Sequence, residues 1–207
     1  MACWKKSRFE MEGIPQGIEC KSERFLFANQ ALPEPLLLLK STSHGKAFEE
    51  ENSKLPQLTS WMFGVQSGPG EIRFGKKTEV VLEPTDNEMR EIKAGLIRLS
   101  ELLLEAGAEW VIPGVFGAER IHNLDALKIW AQNPTTAKTA FLGAGHLFGG
   151  ACLGESTPVN SDFQVRGIQN LFVADASLLP SSTGTNPALA IMTLGRLAAQ
   201  KAYQLTN

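Results

Sequence analysis

The sequence predicts an α+β fold, and three observations carry that prediction. Short apolar runs separated by Gly/Pro turns between 61 and 83 have the form of antiparallel strands. A long stretch, 85–107, repeats apolar residues at helical spacing behind a capping signal. From 143 onward the character changes: a Gly-rich segment, an apolar strand ending in Asp175, and a helix opened by Asn186-Pro187.

The elements follow in order. Over 1–58 only Phe25-Leu26-Phe27 and Leu36 to Leu39 are apolar runs, set apart by Pro33 and Pro35, and 41–58 is polar and reads as a loop. Such a start is unusual for a complete enzyme domain, so the chain is expected to be part of something longer. Residues 61–66 read as a strand, Ser67-Gly68-Pro69-Gly70 as a turn, and 71–74 and 79–83 as further strands. Thr85 with Glu88 forms a capping box, and Met89, Ile92, Leu96, Leu99 and Leu103 share one helix face that Gly107 ends. Residues 109–112 read as a strand and 125–132 as a short helix. The expected division is a poorly defined segment 1–58, a sheet portion 59–142 and a tail 143–207.

Composition narrows the function classes. The 207 residues are 43% hydrophobic and 20% charged, with a net charge of -2 and no long Lys/Arg run. The pI is near 6.0. This balance gives no overall electrostatic reason to expect nucleic acid or an anionic membrane as partner. No apolar run is long enough for a membrane span, and no apolar stretch follows the charged N-terminus, so a cytoplasmic protein is expected. Cys3, Cys20 and Cys152 are too scattered for a disulfide framework, and no metal-ligand spacing occurs.

The tail carries the chemistry. Asn is a favoured N-cap and Pro a favoured first helical residue, so Asn186-Pro187 marks a helix start. Free N–H groups and the helix dipole suit that end to an anion, such as a reduced flavin. Residues 171–175 read as a buried strand whose carboxyl end, Asp175, is placed as ligand-binding strand ends are. His146 lies between Gly145 and Gly149-Gly150, where small residues admit a planar ligand and an imidazole can accept an alcohol proton. Plainer readings stand beside these. His146 can be a structural histidine, Asn186 only an N-cap, and Asp175 only a turn cap. His44 reads as solvated, His122 carries no assignment, and Cys152 reads as a packing residue. Ser177, Ser181 and Ser182 lack a nucleophile-elbow context.

Taken in order, His146-x-x-Gly149-Gly150-x-x-x-Gly154, Gly167 through Asp175-Ala176-Ser177-x-x-Pro180, and Asn186-Pro187-Ala188-Leu189 resemble the C-terminal signature of the glucose–methanol–choline (GMC) oxidoreductases. The resemblance is nearest to cholesterol-oxidase-like and related bacterial branches. It implies FAD-dependent oxidation of a small-molecule alcohol. His146 corresponds to the active-site histidine and Asn186 to the second polar residue facing the flavin. Asp175 and Ala176 correspond to the strand end at the ribityl–pyrophosphate part, and Asn186, Pro187 and Ala188 to the helix start beneath the ring. By the same resemblance, residues 61–140 match the end of an antiparallel-sheet substrate domain. The tail matches the last strand and helix of an FAD-binding α/β domain. The family's N-terminal strand–GxGxxG–helix unit is not found in the sequence, since the third glycine position after Gly143-Ala144-Gly145 is Phe148. The expectation is therefore a C-terminal portion that binds FAD poorly alone. The alternative is an inactive fragment, or a non-catalytic subunit needing a separate FAD-binding chain.

Overall fold

The computed structural model of the chain describes residues 1–6, 19–21, 25–30 and 32–206. The stretch that follows the charged N-terminus, 7–18, lies outside them. The fold is mixed helix and antiparallel sheet, and the chain divides into two compact units, Met1–Leu142 and Gly143–Asn207.

The first unit is built on a five-stranded sheet. Its strands are β1 (Ala2–Cys3), β2 (Glu19–Lys21), β3 (Leu26–Gln30), β4 (Leu58–Gly64) and β7 (Trp110–Val111), in the order β2-β3-β4-β1-β7. Strand β4 pairs with β3 from Leu26↔Gly64 to Gln30↔Ser60. The two-residue β1 lies between β4 and β7, antiparallel to both. Its Ala2 and Cys3 are wholly buried. Such small side chains let the neighbouring elements close over the sheet centre.

Helix α3 (Asp86–Glu105) begins as the capping box requires. The Glu88 N–H donates to Thr85 Oγ1 at 3.2 Å, and the Thr85 N–H donates to Glu88 Oε2 at 2.7 Å. Together the two satisfy donors that a helix start leaves unpaired. Leu99 and Leu103 pack with Ala2, Phe27, Val111 and Trp130, the last from α4 (Leu124–Ala131).

Gly95 of α3 is where the Phe63 ring of β4 comes closest. A β-carbon there would lie 2.5 Å from Phe63 Cε2 and 2.6 Å from Cδ2. Alanine would gain about 1 kcal/mol of helix propensity, but the overpacking costs about 1–3 kcal/mol. Gly95→Ala is therefore expected to lower the urea unfolding midpoint, although on an exposed helix the same change raises it.

Two regions of the first unit differ from the sequence expectation. Residues 41–58 are not a plain loop: α2 (Lys46–Ser53) and a 3-10 turn (Leu55–Gln57) lie within them, after α1 (Glu34–Leu38). Helix α2 is held by polar contacts rather than an apolar stripe. Glu51 is fully buried and accepts from Arg120 Nε at 3.2 Å and from Ser41 Oγ at 2.5 Å. The second difference is that β5 (Glu71–Arg73) and β6 (Glu79–Val81) form a separate two-stranded ribbon instead of joining β4.

The second unit has a small core of Val159, Phe163, Leu178 and Ala198, with Leu153, Val165, Phe172, Val173 and Leu194 against it. Ala198 and Leu194 come from α5 (Ala188–Thr206), the only long helix among the unit's described residues. The strand expected over 171–175 does not form a ladder. A single bridge joins Phe172 to Gln164, and Leu171 is 45% exposed. The cause is local: the Val165 N–H bonds the Leu171 carbonyl and the Val173 N–H bonds the Phe163 carbonyl. Backbone pairing is thus met by a tight loop, with Gly167 at φ 79° and Asn170 at φ 58° turning the chain.

Candidate active site

All the residues singled out for chemistry lie in the second unit. His146 is in the irregular segment before Gly149-Gly150, and its side chain is exposed. Gly149 has φ 81° and Gly150 φ 93°, the left-handed region that strains any side-chain-bearing residue. These two glycines turn the chain from His146 into residues 151–153. There the Ala151 and Leu153 N–H groups donate to the carbonyls of Ser177 and Leu178. The His146 segment is thereby tied to the turn that follows Asp175.

Asp175 is exposed and caps a 3-10 turn, Ala176–Leu178. Its Oδ1 accepts from the Ser177 N–H at 2.8 Å and from Ser177 Oγ at 2.5 Å. These bonds, the hydroxyl first and then the backbone N–H, hold the carboxyl below its usual range. The capping role is thus present, and both donors fall on one oxygen. Sequence reasoning dismissed Ser177 as a nucleophile and missed this partnership. The Asp-x-Ser spacing of an Asx turn was the signal available.

The lowered acidity has a sign. Asp175 stabilises the fold while it is ionised, above its unfolded-chain pKa, and that contribution is lost as pH falls through the lower folded value. Ser177→Ala removes the hydroxyl bond and keeps the backbone one. The Asp175 carboxyl is then expected to titrate at higher pH, read by NMR of its side-chain carbon. An unchanged titration would assign the shift to another cause.

Asn186 and Ala188 are exposed at the start of α5, whereas Pro187 is buried beneath them. The first helical bond is Ile191 N–H to the Pro187 carbonyl at 2.9 Å. Donors at Ala188 to Ala190 therefore precede the hydrogen-bonded part of the helix. Ahead of them, Gly184 has φ 69° and its N–H is held by Ser182 Oγ. The α5 backbone also approaches the Asp175 region: a β-carbon on Gly195 would sit 3.8 Å from the Ala174 carbonyl oxygen. Helix start, strand end and glycine segment are thus parts of one small unit. Among the described residues no group of three or more His, Cys, Asp or Glu is arranged to hold a metal. None of their helices is long and apolar enough to cross a membrane.

This ordered set of a histidine–glycine segment, an Asx-capped turn and an Asn-Pro helix start falls within a family match. Residues 76–195 fit the GMC oxidoreductase C-terminal family model, and the chain belongs to that family. It is 37% identical over 110 residues to an uncharacterized GMC-type oxidoreductase of Sinorhizobium fredii, a match covering 52% of this chain and 22% of that protein. It is 31% identical over 155 residues to an uncharacterized GMC-type oxidoreductase of Mycobacterium tuberculosis, covering 72% and 24%. A choline oxidase of Arthrobacter globiformis is 29% identical over 122 residues, covering 56% and 21%. The chain thus spans under a quarter of the length of the relatives it matches. Oxidoreductase chemistry is the general activity to which the family points.

Proposed function

We propose that this chain supplies the chemical face of an FAD-dependent alcohol oxidoreductase, with His146 as the base that takes the substrate hydroxyl proton. The observation that carries this reading is the grouping of His146, Asp175 and the α5 start in one 65-residue unit, Gly143–Asn207. In the sequence these three motifs are up to forty residues apart.

The residues fit such a cofactor. The small residues Gly184, Ala188 and Ala190 leave the start of α5 open to a flat ring, and the positive end of the helix dipole there suits its anionic edge. Asp175 uses Oδ1 for its turn, so the second oxygen can accept from a ribityl hydroxyl. FAD, when bound, is the hydride acceptor, which no side chain can be. Asn186 orients the hydroxyl from the helix start, while His146 removes its proton and so favours loss of the carbinol hydrogen as hydride. Ala176 belongs to the same cofactor-facing edge, and the buried Pro187 sets the helix start beneath it.

The pyrophosphate half of FAD is held by polypeptide outside these 207 residues, such as a separate FAD-binding chain would supply. Exposed apolar residues of α5 favour this arrangement: Leu189 is 74% and Met192 65% exposed. The test is to titrate the chain with FAD, alone and with the FAD-binding portion of a relative, and then add alcohols anaerobically. Bleaching of the flavin in the mixture, with weak binding by the chain alone, supports the reading. Tight stoichiometric binding by the chain alone contradicts the second-polypeptide part. A complex that binds FAD but is reduced by no alcohol contradicts the activity.

A further inference from the structure

The β5–β6 ribbon carries an apolar face that nothing described in its own unit covers. Its register pairs Glu71 with Val81, Ile72 with Val80 and Arg73 with Glu79. Side chains alternate along a strand, so Ile72, Phe74, Val80 and Leu82 fall on one side. Their exposures are 54%, 84%, 60% and 38%. The base of the ribbon is anchored to α3 through Gly68 N–H donating to Glu88 Oε1 at 2.5 Å. Both long edges of the two-stranded sheet are open among the described residues. A ribbon of two strands is marginal by itself, and an open edge with an apolar face is a template for pairing.

The sequence of β5 is complementary to itself. We propose that β5 pairs antiparallel with β5 of a second copy of this chain, centred on Ile72. That register places Ile72 beside its own symmetry mate and builds one apolar row, Val80–Ile72–Ile72–Val80, across four strands. It sets each Glu71 opposite an Arg73 of the other copy, twice. On that polar side the row Glu79–Arg73–Glu71 alternates in sign across the new junction. The Arg73–Glu71 pair within one strand, 2.9 Å long and exposed, then becomes part of a four-charge square.

The same register lays Phe74 over Gly70 of the other copy. Gly70 has no side chain to meet the ring, and a β-carbon there would lie 2.9 Å from the Val81 carbonyl oxygen and 3.6 Å from Leu82 Cδ1. The glycine is therefore a gap beside Leu82 that an aromatic ring from a neighbouring strand can fill. Phe74 and Leu82, bare in one copy, cover each other in two. A one-residue slip would put each Glu71 beside a hydrophobic side chain and turn Phe74 to the opposite side.

The experiment is sedimentation velocity on the full 207-residue chain over a concentration series. A monomer–dimer equilibrium is expected. Arg73→Glu places like charges opposite each other twice and should weaken the dimer about ten- to hundredfold. Glu71→Arg combined with Arg73→Glu and Glu79→Arg should restore it, because all three signs exchange together, including the Arg73–Glu79 pair within the ribbon. Phe74→Ser should also weaken it, with circular dichroism unchanged because the residue is exposed. A chain that stays monomeric at all concentrations overturns the proposal. So does a dimer indifferent to Arg73→Glu, or a triple variant that fails to recover. Binding of the monomer to phosphatidylserine vesicles through Phe74, without dimerisation, would equally overturn it in favour of a lipid surface.

Discussion

Arg120→Ala is expected to destabilise the first unit by about 3–5 kcal/mol, the largest stability effect foreseen for a single side chain here. Glu51 is fully buried, and its partners are the Arg120 guanidinium and the Ser41 hydroxyl. Arg120 also bonds Glu50 at 2.7 Å and the Ala47 carbonyl, and its guanidinium lies 4.9 Å from the Trp110 ring centre. One residue thus joins α2, the segment leading to α4, and the sheet at β7. Removing it leaves a carboxylate out of water with only a hydroxyl donor among the described residues. The exposed Glu50 contact adds little, because surface pairs contribute at most about 1 kcal/mol. Urea unfolding of wild type, Arg120→Ala and the double variant Arg120→Met/Glu51→Met measures the effect. The double variant should recover most of the loss, since a buried pair exchanged for apolar side chains of similar size is close to neutral. Equal losses in the single and double variants would mean that packing by the arginine stem, not the orphaned charge, is responsible.

His146→Ala in the reconstituted, FAD-loaded protein is expected to slow anaerobic flavin reduction by about two to four orders of magnitude, the scale of a lost general base. His146 is exposed and belongs to no apolar cluster, so the thermal unfolding midpoint should stay put. The separation between rate and stability distinguishes a chemical role from a structural one. Gly150→Ala provides the contrast. At φ 93° an alanine is strained, and that change should alter the path of the His146 segment and lower stability as well as rate. An unchanged reduction rate in His146→Ala would end the assignment of the base.

The long helix α3 was legible because every local signal agreed. Thr85 and Glu88 are three apart, the apolar stripe runs to Leu103, and Gly107 adopts φ 99° just past the end. Helix α5 was legible from Asn186-Pro187 for the same reason. The candidate site was readable as an order of motifs, because glycines, Asp-Ala-Ser and Asn-Pro carry backbone requirements that a linear pattern preserves. Helix α2 was hidden. Its anchor is a buried Glu51 whose partner lies 69 positions away, and no periodicity records such a pair. The apolar run 171–173 misled because apolar content alone cannot tell a ladder strand from a loop closed by its own backbone bonds.

What the sequence by itself determined are therefore the elements with local causes: the caps, the helix faces, the turn glycines and the identity of the polar residues offered to a ligand. Tertiary structure alone decided the rest. Only it set Ala2–Cys3 between two strands from distant parts of the chain. Only it separated the β5–β6 ribbon from the main sheet, and paired the buried Glu51 with Arg120, 69 positions away. The physical reason is the range of the interactions. Capping and periodicity act within a few residues, whereas strand order, buried ion pairs and exposed faces depend on which distant surfaces the folded chain brings together.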